Sequence, residues 1–175
     1  MKYQDCTGPA QAGDARREAA RAPAPYLSDA NINPETGLAT DYLNHFNEAI
    51  MLLDMATSCP DCRAEFLDWQ PMGYREHFAA SRFAGRELAI AAYETADPAL
   101  RERLDRLAST MTALLEAMRA LMLSEWASDA KDTLTASAVV ELKSLVTRAG
   151  ALINGAADCE IPPAPQAVVD RLLKR

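Results

Sequence analysis

The chain predicts an all-α protein, an antiparallel helical bundle of about four long helices plus short helices. Three observations predict it. Leu100, Leu104, Leu107, Met111, Leu114, Met118 and Leu121 repeat every seven residues, which lines one stripe of a long helix with apolar side chains. Two further segments carry seams of the same four-three spacing. The 175 residues include only 7 Gly and 6% aromatics, are rich in Leu and Ala, and show no alternating strand pattern. That length suffices for a core without disulfides or metals.

Residues 1–32 read as a flexible tail of Gly, Pro, Ala and scattered charge. Pro23 and Pro25 oppose regular helix there, leaving room for a short helix at 15–20, and Tyr26 and Leu27 are the side chains that could ask for cover. The bundle domain is expected over 33–157. Its first strong helix covers 40–57, with Thr40 as N-cap and Asp41 near the positive helix end. Tyr42, Phe46, Ala49, Leu53 and Ala56 form its seam, and Pro60 ends it.

A short helix at 63–69 is broken by Gln70-Pro71, and a helical stretch at 74–96 follows, with Gly85 as a kink or close contact. Asp97-Pro98 opens the heptad helix: Asp caps free N–H groups, and Pro is tolerated at the first position. Ala108, Leu115 and Met122 add a third apolar column, so this helix is expected to pack against several neighbours, within one chain or in a homodimer core. Residues 128–133 read as a polar connection and 134–156 as the last long helix, seamed by Ala138, Leu142, Leu145, Ala149, Leu152 and Ala156. Residues 158–175 form a Pro-rich spacer and a short C-terminal helix.

The formal charge is -7, from 25 acids against 18 bases. An acidic surface repels phosphate backbones and anionic lipids, so neither nucleic acid nor membrane is expected as a partner. No stretch approaches the roughly 20 apolar residues of a membrane span. Met1 to Cys6 lead into no apolar signal core, so a cytoplasmic protein with four reduced cysteines is the expectation.

The two histidines are the first candidates for chemistry. Asp41, His45 and Glu48 share one face of the first helix, and His77 sits on the third segment. Bundles build metal sites from inward His and carboxylates on facing helices, so Asp41, His45, Glu48 and His77 form a candidate zinc or iron site. The di-iron pattern of Glu followed three residues later by His is not met, because Glu48 follows His45 and Tyr74 precedes His77. The competing reading is a core-bordering histidine. Neither histidine carries the His-x-x-Lys-Gly pattern of phosphotransfer, as Glu48 and Ala80 stand where lysine would.

Cys59-Pro60-Asp61-Cys62 is a CxxC, open to zinc, redox or merely structural use. Half a zinc site is present at most, and no thioredoxin-like strand pattern flanks it. Trp69, Tyr74, Phe78 and Phe83 are expected to seal the broken-helix junction. No Gly-rich phosphate loop or Ser/His/acid hydrolase constellation stands out.

The sequence therefore favours a non-enzymatic bundle that binds a protein partner in regulation or assembly, without a cofactor. Val168, Leu172 and Leu173 of the C-terminal helix are the expected docking residues. The alternative is a metal- or cofactor-binding bundle using His45 and His77.

Overall fold

A computed structural model describes residues 24–156 and 163–173, and among them the chain is all-helical. Its elements are α1 Ala24–Asp29, α2 Tyr42–Met55, α3 Pro60–Asp68, α4 Tyr74–Ala80, α5 Arg86–Thr95, α6 Pro98–Leu123, α7 Ser128–Ile153 and α8 Pro165–Leu173. None of these helices is long and apolar enough to cross a membrane.

The two 26-residue helices α6 and α7 form the frame. Asp97 Oδ1 accepts the Ala99 N–H at 2.7 Å and Pro98 takes the first helical position, so α6 starts where the sequence places it. Leu104 through Leu121 of the heptad stripe are buried and Leu100 packs half-buried beside them. Ala108, Leu115 and Met122 are buried too, so α6 faces several neighbours. The short link at 124–127 returns the chain as α7, whose Ala138, Leu142, Leu145, Ala149 and Leu152 are fully buried against α2 and α6. Gly155, at φ +83°, closes α7: its own N–H donates to Leu152 O at 3.1 Å and the next N–H, of Ala156, to Ala151 O at 2.9 Å. That left-handed turn suits glycine.

The remaining elements are short. α3 packs on α2, α4 pairs with α5, and α8 lies across α6 and α7. The expected four long helices are thus two, with a 14-residue α2 and a broken third segment. Residues 74–96 split because Ser81 is extended and Phe83 turns inward to meet Phe78, ring centroids 5.9 Å apart. Gly85 permits this: a Cβ there would lie 2.9 Å from the Phe83 ring and 3.2 Å from Ala30 Cβ.

Three boundaries also move. α3 begins at Pro60, so the Cys-Pro step opens a helix rather than only closing one. α7 begins at Ser128, with Asp129 in its first turn; Thr133 and Ser137 donate to carbonyls four residues back, so the polar run is the exposed face of a helix. Residues 24–32 belong to the packed body, since Leu27 and Ile32 are buried, and Pro25 sits in a first turn that needs no N–H. The rest of the expected tail, with its helix at 15–20, and most of the Pro-rich spacer lie outside the described residues.

Candidate functional site

The site grows from the connector at residues 70–73, which α2 grips at one residue, Met72. His45 Nε2 accepts the Met72 N–H at 3.1 Å, and Tyr42 donates its hydroxyl to Met72 O at 3.2 Å. Trp69, which ends α3, stacks on the His45 ring at 4.6 Å. Arg119 of α6 donates to the Trp69 carbonyl. His77 of α4 lies 5.8 Å from His45, ring to ring.

Burial dominates the electrostatics here. It lowers His45 to a pKa of about 4, helped by the neighbouring His77. Burial also lowers His77, against the pull of Asp41. Both imidazoles are therefore neutral near pH 7, and the His45 lone pair is already engaged by Met72.

The structure brings His45 and His77 together, but Glu48 is exposed. Among the described residues no three His, Cys, Asp or Glu side chains group as a metal site. Of the expected set Asp41, His45, Glu48 and His77, the His45 Nε2 nitrogen is engaged as a hydrogen-bond acceptor that holds the backbone at Met72.

Beside this cluster runs an open groove of about 910 Å³ between residues 71–79, α5 and α6. The buried rings of Tyr42, Tyr74 and Tyr93 contribute to its lining. Tyr74 and Tyr93 stack at 4.4 Å, and Tyr74 Oη accepts the Ala39 N–H at 2.9 Å. α6 supplies the polar wall through Asp105, Ser109, Thr112 and Glu116. Glu76 adds a third carboxylate, while Arg75, the one cation in the lining, is paired to Glu94 at 3.0 Å. Tyr93 donates to both Asp105 oxygens at 2.8 Å. Burial first, then this carboxylate, pushes the Tyr93 phenol up to about 12; burial also pushes Tyr42 and Tyr74 well above the usual phenol range.

Asp105 and Glu116 lie outside the apolar stripe of the heptad helix, so the stripe alone does not single them out. Their signal was available: positions 105, 109, 112 and 116 repeat the four-three spacing one face over from the apolar seam. The pairing with Tyr93 had no such signal, because it depends on how α5 crosses α6.

The expected docking residues fare differently from one another. Val168 and Leu172 are buried against the chain's own α6 and α7, and Leu173 remains 38% exposed. Arg171 ties α8 to Glu141 at 2.9 Å. An α8 held this way does not present Val168 and Leu172 to a partner. Comparison with known proteins finds no matching family model, no matching curated protein and no matching solved structure.

Proposed function

We propose that the protein is a non-enzymatic binding module, acting in regulation or assembly, which takes a basic segment of a protein partner into the groove beside α6. One observation carries the reading: a wall bearing the exposed carboxylates Asp105 and Glu116 faces a lining of buried tyrosine rings. Carboxylates attract Lys and Arg, and tyrosine faces accept cations and apolar stems. The excess of 25 acids over 18 bases supports a basic protein partner over nucleic acid. Cytoplasmic location and action as a monomer or homodimer belong to the same proposal.

Fluorescence anisotropy with labelled Arg/Lys-rich amphipathic peptides tests it. Binding is expected to weaken with salt and to fall roughly three- to tenfold in an Asp105→Asn/Glu116→Gln double variant, as for two partly screened charge contacts. Glu125→Gln, outside the groove lining, serves as control. Equal binding by the double variant, or no preference for basic over acidic peptides, defeats the reading.

A further inference from the structure

Cys59 occupies the N-cap of the nine-residue α3, in an extended conformation at φ -125° and ψ 104°. Its Sγ accepts the Cys62 N–H at 3.3 Å, the task an Asp or Ser oxygen performs in most helices. A neutral thiol accepts weakly and a thiolate strongly, so the helix N-terminus favours charge on this sulfur. The bond from the Cys62 N–H seats the Cys59 sulfur against the backbone of Cys62, one turn further along α3. Both cysteines are free and half-exposed.

This arrangement divides two roles between two like residues. Hydrogen bonds from Cys62 lower the Cys59 thiol, even though the Asp61 carboxylate opposes the charge. The same contact, with burial and Glu65, raises Cys62 and keeps its proton in place. Arg63, the nearest cation along the chain, is committed to the Met122 carbonyl at 2.6 Å. The asymmetry thus comes from the cap and the second thiol.

We propose that Cys59 and Cys62 form a reversible dithiol–disulfide couple that exchanges with a low-molecular-weight disulfide, Cys59 attacking and Cys62 resolving. In the first step the Cys59 thiolate attacks one sulfur of the disulfide RSSR. The Cys59–SR bond forms, the S–S bond breaks, and RS⁻ leaves and takes up a proton. In the second, Cys62 loses its proton to solvent and its thiolate attacks Cys59 Sγ. The Cys59–Cys62 bond forms and a second RS⁻ leaves. Two electrons pass from the protein dithiol to RSSR, which ends as two RSH.

The test uses the full chain with Cys6→Ser and Cys159→Ser, so that only this pair of thiols remains. The protein is equilibrated with reduced and oxidised glutathione in varying ratio, quenched in acid, alkylated with a maleimide and weighed intact. Both thiols are expected to disappear together as an internal disulfide that glutathione excess reverses, with unchanged circular dichroism. Adding Cys62→Ser should trap a stable glutathione adduct on Cys59. Adding Cys59→Ser, which keeps a capping oxygen, should leave Cys62 at least about tenfold slower to form its adduct. Thiols that stay free in oxidised glutathione overturn the proposal. So do stable adducts without an internal disulfide, loss of helix on oxidation, or equal rates at the two cysteines.

Discussion

His45 Nε2 accepts the Met72 backbone N–H at 3.1 Å, a bond that only the neutral imidazole makes. Burial and His77 hold its folded pKa near 4, against about 6.5 in an unfolded chain. Between those values the unfolded state binds the extra proton, so stability is full above about pH 6.5 and is lost as pH falls toward 4. The loss should reach about 2 kcal/mol by pH 5, read from urea midpoints at pH 7 and 5. In His45→Gln, whose amide oxygen can still accept from Met72, most of that dependence should vanish. A dependence that survives the substitution assigns the effect to another group.

Tyr93 donates to both oxygens of Asp105, and this pair joins α5 to the groove wall. Tyr93→Phe should cost about 1–2 kcal/mol, since the lost hydrogen bond is charge-assisted but its acceptor is solvent-exposed. Asp105→Asn should bring the Tyr93 phenol partway down from about 12, because burial, its main cause, remains. Titration of tyrosinate absorbance checks this; an unmoved midpoint would mean Asp105 does not hold that proton.

The heptad seam sets the stability scale of the whole body. Leu114 is fully buried, and Leu114→Ala should cost about 2–5 kcal/mol in urea unfolding through lost burial and the cavity left behind. Leu123, at the end of the same helix, is 65% exposed, and its replacement by Ala should stay within about 0.5 kcal/mol. Similar costs at both sites would contradict the orientation of α6.

Gly37 closes the loop that places Thr36 against α7. Asn33 Oδ1 accepts the Glu35 and Thr36 N–H groups, and Thr36 Oγ1 donates to Ile153 O at 2.7 Å. Gly37 has φ +70°, and an added Cβ would lie 3.1 Å from Ala92 O. Gly37→Ala should therefore destabilise by about 1–3 kcal/mol. Gly73→Ala meets only Glu76 Oε2 at 3.6 Å and should move the urea midpoint little. Equal effects would mean the backbone at 37 is not left-handed.

What the sequence disclosed and what it hid follow from the range of the interactions involved. α6 was legible almost whole, because a capping Asp, a Pro and a seven-residue repeat are all local signals. The break at 81–85 was not, since it depends on Phe83 meeting Phe78 and on Ala30 approaching Gly85 from a distant part of the chain. Likewise His45 was legible as a histidine on a core face, but the partner it holds, Met72, lies 27 residues away. Asp105 looked like solvent-facing charge because its meaning comes from Tyr93 on another helix. Local periodicity reveals which face of a helix is buried, and says nothing of which side chains a crossing helix brings to its rim.

The C-terminal helix gives the sharpest contrast between apparent and actual use of apolar residues. Val168, Val169 and Leu172 are buried on α6 and α7, so α8 is part of the body's own core. Val168→Asp would place a charge at a site 1% exposed. Release of α8 should relieve that cost, so hydrogen exchange should rise across residues 165–173 and the facing positions of α6 and α7 while α2 stays protected. Leu173→Asp, at 38% exposure, should leave exchange unchanged. If Val168→Asp leaves exchange unaltered, α8 does not dock through that residue, and Val168 returns as a candidate contact for a partner.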